Sequence, residues 1–145
     1  MIELEINQST GSRLPTSFFE SWIKKVSKVV GLRGNFKVSV AIIGEAEMKK
    51  INYQSRGKKK ATNVLSFAEI DLKNTKFVQV DNGYLGEVLI CYPIAVKQAK
   101  VASMPIKAEV ARLFVHGLLH LLGYDHIKDK QAAVMEAIED KVFSD

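Results

Sequence analysis

The sequence predicts a single α+β domain, on three observations. Apolar residues alternate with period two at the N-terminus, β-branched runs recur through the first two-thirds, and helix-period patterns dominate after Pro93. No linker or shift in composition divides the chain. Ile2, Leu4 and Ile6 alternate with outward glutamates, which reads as a strand. Pro15 stands where a first helical turn tolerates it, and Phe19, Trp22, Ile23, Val26 and Val30 follow at helical spacing up to Gly31. Phe36 to Ile43 is a second strand, closed by Gly44, and Glu45 to Gln54 is a short helix with Met48 and Ile51 inward. Thr62 to Phe67 is a third strand, and Asn74 to Gly83 is turn-rich and expected to be poorly ordered. Tyr84 to Ile90 forms a fourth strand, interrupted by Gly86 and Glu87. Pro93 opens a helix over Ile94 to Ala102, which Met104-Pro105 breaks. Ile106 to Leu122 is the longest apolar-rich helix and Gly123 its natural stop. A last helix runs from an Asp129 cap through Val142, with Ala133, Val134, Ile138 and Val142 inward.

Composition bounds the function. The chain has 145 residues, 47% of them hydrophobic and 26% charged, which fits one domain and excludes a disordered polyelectrolyte or a collagen-like chain. Cys91 is the one cysteine, so no intrachain disulfide can form and a reducing compartment is the default. It follows a strand of apolar residues and reads as a packing residue. The longest uncharged apolar run, Leu113 to Tyr124, is twelve residues and holds two histidines, whereas a membrane span needs roughly 20. The N-terminus lacks the basic-then-apolar start of a signal peptide. These features lead to the expectation of a cytoplasmic protein with no membrane partner. A net charge of +5 leans toward anionic partners, as it does for many proteins.

All three histidines fall within eleven residues, His116-Gly-Leu-Leu-His120-Leu-Leu-Gly-Tyr-Asp-His126. His116 and His120 are four apart, so on a helix they share one face. Two imidazoles so placed can hold one metal ion at roughly 2.0–2.1 Å from each nitrogen. Gly123 lets the chain turn sharply so that His126 returns as a third ligand. Three nitrogens leave a fourth tetrahedral position for water, the pattern of a catalytic zinc site. The alternative is a pair of surface or interface histidines, but Leu113, Phe114, Val115, Leu118, Leu119, Leu121 and Leu122 leave little solvated face. Burying two unpartnered imidazoles would cost a few kcal/mol. The spacing is also that of the His-Glu-x-x-His-x-x-Gly-x-x-His proteases, with one exception. Where those enzymes carry the glutamate that takes a proton from water, this chain has Gly117. Peptide hydrolysis by that mechanism is disfavoured.

A second feature lies upstream. Lys49, Lys50, Arg56, Lys58, Lys59 and Lys60 put six positive charges in twelve residues with no acid among them, against about two at the chain average. An open metal site beside such a segment suits a phosphodiester, whose cleavage develops charge that a metal and a guanidinium stabilise. Arg56 is the candidate catalytic residue, since its fork can hold two phosphate oxygens. Lys58, Lys59 and Lys60 are candidates for non-specific attraction to a nucleic-acid backbone, or else an ordinary solvated loop. Asp125 to Asp145 carries six acids against three lysines, so nucleic acid is expected on the lysine-rich side. Asp125 could orient a ligating histidine or cap a turn.

The block Leu119-His120-Leu121-Leu122-Gly123-Tyr124-Asp125-His126, with His116 before it, resembles the signature of the bacterial YbeY endoribonuclease family. The resemblance extends to Asn52 to Arg56, Thr62-Asn63-Val64-Leu65-Ser66-Phe67 and Leu85-Gly86-Glu87-Val88, in the family's order. Departures are Ser55 where a tyrosine is usual, Asn63 and Glu87 where aspartate is common, and Ala61 and Ala68 where proline is frequent. The resemblance implies one α+β domain over residues 1–145 with a mixed four-stranded sheet packed against several helices. It implies one zinc ion on His116, His120 and His126, and Arg56 in the same cleft. The implied activity is cleavage of single-stranded RNA in maturation of small-subunit ribosomal RNA and in ribosome quality control, with the ribosome or its small-subunit proteins as partners. Two other readings stay open: a protease-like metal hydrolase taking its base from Glu87 or Asp125, and a non-catalytic ribosome-assembly factor with a structural zinc.

Overall fold

The computed structural model describes residues 2–70 and 79–144, with backbone alone for 79–82. Among the described residues nine elements follow one another. They are β1 (Ile2–Gln8), α1 (Thr16–Val30), β2 (Arg33–Ile43), α2 (Glu45–Arg56), β3 (Val64–Ala68), β4 (Gln79–Cys91), α3 (Tyr92–Val101), α4 (Ile106–Leu121) and α5 (Asp129–Phe143). The fold is the expected α+β domain with a mixed sheet of order β1-β2-β4-β3. β1 and β4 both run parallel to β2, while β3 is antiparallel to β4.

Alternation along the strands builds two apolar layers. Val38, Val40 and Ile42 of β2, with Val88 and Ile90 of β4, face α1, α4 and α5 in the larger core. Phe19 of α1 meets Phe114 of α4 edge-on there, with ring centroids 5.1 Å apart. Ala41, Ile43, Leu65, Leu89 and Cys91 face the other way, against Met48 of α2. The buried, unpaired Cys91 is thus the packing residue its context predicted. Leu85 joins the same core as Val88 although the two differ in parity. The register explains it: Lys37 pairs Tyr84 and Val38 pairs Gly86, so one extra residue enters β4 as a bulge. Gly86 there has φ 136°, and a Cβ would strike the Phe67 carbonyl.

Three expectations are corrected. The turn-rich reading of Asn74 to Gly83 lies outside the described residues up to 78, but Gln79 to Gly83 is strand, paired in parallel with Arg33 to Phe36. Turn-forming residues yield there to pairing with a neighbouring strand. The last helix is capped from Lys128, whose backbone N–H donates to Gln131 Oε1 at 3.4 Å, with Asp129 already inside the first turn. Its inward face is Met135, Ile138 and Val142, whereas Ala133 and Val134 are exposed. Apolar residues at adjacent positions cannot both face the core of one helix, and the larger Met135 takes the place.

Candidate metal centre and cleft

α4 presses directly onto the sheet because Gly117 has no side chain. A Cβ at that position would lie 2.6 Å from Val88 Cγ1 and 3.4 Å from Val64 Cγ2. A glutamate could not stand there unless the helix or the Val88 side chain shifted. His116, Gly117 and His120 of α4 together line a cleft beside Val64, Leu65 and Ser66 of β3.

His116 and His120 leave α4 one turn apart, and their Nε2 atoms are 3.2 Å from each other. Two ligands at roughly 2.0–2.1 Å from one tetrahedral ion would lie about 3.3 Å apart, so the spacing fits. On the other side of its ring, His116 Nδ1 lies 3.2 Å from Glu139 Oε2. A cation shared between the two Nε2 atoms would satisfy both rings at once. Burial, followed by the neighbouring His116 and His126, lowers the pKa of His120 and favours the neutral form that binds metal. After α4 the chain turns at Gly123, with φ 93°, and Asp125 Oδ1 accepts the backbone N–H of His126 at 2.7 Å. Asp125 therefore serves the turn. His126 returns to the site with its ring centroid 5.0 Å from that of His120 and 5.3 Å from that of His116. The ligand atoms of all three histidines lie within 4.8 Å of one another, close enough to hold one metal ion.

These rings open into a cleft of about 740 Å³. α2 supplies its far wall. Gly57 ends α2 with φ 72°, and its N–H donates to the Tyr53 carbonyl at 2.9 Å. Beyond that turn the buried Asn52 holds the lysine segment, donating from Nδ2 to the Lys60 carbonyl at 2.8 Å, while its buried Oδ1 has no partner among the described residues. Arg56 lines the cleft, with its guanidinium carbon 5.8 Å from the Phe67 ring centroid and Nη2 3.4 Å from the Ser66 carbonyl. Lys58 and Lys60 line it as well. Lys59 does not. Its Nζ lies 5.4 Å from the centroid of the Tyr53 ring, outside the cleft. Glu87 is also absent from the lining, and Asp125 is present.

Two features of the site escaped the sequence reading. Ile127 is 81% exposed at the cleft lip beside His126, where its apolar type carried no chemical signal. Glu139 touches His116 from a helix more than twenty residues on, and no spacing rule connects them.

The fold and site together define an α+β protein with a three-histidine metal-type centre facing a basic cleft. The family model described as Endoribonuclease YbeY matches residues 3–145. A curated relative from Persephonella marina, named Endoribonuclease YbeY, is 39% identical over 99% of this chain and 92% of its own length. Another of that name, from the Buchnera aphidicola of Schizaphis graminum, is 36% identical over 98% of this chain and 86% of its own. The solution structure of TM1509 from Thermotoga maritima superposes with a TM-score of 0.59 at 25% identity, covering 99% of this chain and 90% of that one. The chain belongs to the YbeY endoribonuclease family.

Proposed function

We propose that this chain is a zinc-dependent endoribonuclease that cuts single-stranded RNA during maturation of small-subunit ribosomal RNA. The observation that carries the reading is the juxtaposition of the His116, His120 and His126 cluster with Arg56, Lys58 and Lys60 in one cleft. Family membership supports RNA as the substrate class. A zinc ion on the three imidazoles supplies Lewis acidity toward a phosphate oxygen. Arg56 holds the same phosphate through its planar fork and steadies the charge that develops during cleavage. Lys58 and Lys60 attract the RNA backbone without regard to sequence, and Lys59 adds to the field from outside. The domain acts as one unit over residues 1–145, in the cytoplasm, with the ribosome or its small-subunit proteins as docking partners. Among the described residues no helix is long and apolar enough to cross a membrane.

The packing of Gly117 against Val88 argues against the protease-like alternative, since the position of the usual base is a helix–sheet contact. The test is cleavage of an unstructured RNA and an unstructured protein side by side by nuclease-free preparations. RNA alone should be cut, and His120→Ala should abolish the activity. Arg56→Ala should lower turnover about 10²-fold while RNA affinity changes only a few-fold. Equal cleavage by His120→Ala would exclude the metal role.

A further inference from the structure

Glu139 has no part in the roles above, yet it is the α5 residue that reaches the centre. Its Oε2 lies 3.2 Å from His116 Nδ1, on the side of the ring opposite the Nε2 that faces His120. The His116 and Glu139 side chains are 26% and 22% exposed, so their contact is shielded on most sides. A second basic group, Arg112, lies one turn before His116 on α4 and also feels the Glu139 charge. Its guanidinium is committed to Glu109 by hydrogen bonds of 2.8 and 2.7 Å, which leaves Glu139 to His116. A neutral imidazole carries one N–H, and a carboxylate placed at Nδ1 draws that proton to Nδ1.

We propose that Glu139 is a positioning residue that accepts the Nδ1–H of His116 and fixes the tautomer whose Nε2 lone pair points into the centre. Through that bond the docking of α5 sets the metal affinity of α4. The inference rests on the reading of the three histidines as a metal site. Carboxylates so placed behind a ligating histidine orient the ring and raise its basicity, and their loss costs 10–100-fold in affinity.

The test uses the full chain, zinc alone titrated against a chelating dye, and ¹⁵N NMR of the histidine rings in zinc-free protein. His116 should be the Nδ1–H tautomer in the wild type. Glu139→Ala should weaken zinc binding by about 10–100-fold. Glu139→Gln, whose amide oxygen accepts the same N–H, should recover most of that loss. Glu136→Ala, an exposed position on the same helix, should bind as the wild type does. Wild-type affinity in Glu139→Ala, equal loss in Glu139→Gln, similar loss in Glu136→Ala, or an Nε2–H tautomer in the wild type would each overturn the assignment. Should Glu139→Ala fail to fold, the glutamine variant and the ring spectrum decide it. A wild-type chain that binds no zinc would refute the metal reading itself, and the tautomer would still judge Glu139.

Discussion

Gly117 shows how one absent side chain shapes the site. Val88 Cγ1 and Cγ2 would lie 2.6 and 3.2 Å from a Cβ there, and Val88 is a fully buried, β-branched residue on β4 whose χ1 is stiff. Gly117→Ala is therefore an overpacking substitution, expected to destabilise the fold by about 1–3 kcal/mol in chemical denaturation. It should also weaken zinc binding, because any shift of α4 moves His116 and His120 together. A stable Gly117→Ala variant with unchanged affinity would show that the helix has room to spare. Asn52 works at the same scale. Its amide holds the Lys60 carbonyl and so keeps Lys58 and Lys60 on the cleft wall, at the expense of an Oδ1 with no partner among the described residues.

At the scale of elements, β4 is the strand on which the sheet depends, paired with β2 on one side and β3 on the other. Glu87 sits there between Ser39 and Phe67. Desolvation first, then the charge of Glu5, raises its carboxyl pKa above the ordinary value. A carboxyl whose pKa is higher folded than unfolded favours the fold when protonated, and that contribution is lost as pH rises through the folded-state pKa. Glu87→Gln should accordingly raise the Tm at pH 7, with the gain vanishing as pH falls below the usual carboxyl range. A Tm difference that persists at pH 3.5 would trace the effect to packing instead of charge. RNA cleavage should survive this change, since Glu87 does not line the cleft.

For the whole molecule, the core and the metal centre are separable. The larger core runs through α1, β2, β4, α4 and α5 on residues such as Phe19, Ile23, Val40, Ile90, Phe114 and Met135, none of which needs the centre for burial. Chelation of zinc should leave the far-ultraviolet circular dichroism nearly unchanged and release chiefly the segment carrying His126, which is exposed and held by the Asp125 turn. Global unfolding on chelation would instead support a structural zinc and the assembly-factor reading. Charge is divided across the site. Arg56, Lys58 and Lys60 line the cleft, while the locally acidic C-terminal stretch places Glu139 behind His116, outside the cleft lining.

The sequence by itself determined the α+β class, the helix of His116 and His120, the turn that returns His126, and the basic segment around Arg56. Each of these is written in local spacing: four residues for one helical face, a glycine for a reversal, a run of one charge for a field. Only the tertiary structure decided what depends on contact between distant segments. It extended β4 into Gln79 to Gly83 through pairing with β2, chose Met135 over Ala133 and Val134, and turned Lys59 away from the cleft. It also brought Glu139 to the back of His116. Those outcomes are set by which partner a backbone or side chain meets across the fold, and no periodicity along the chain encodes that meeting.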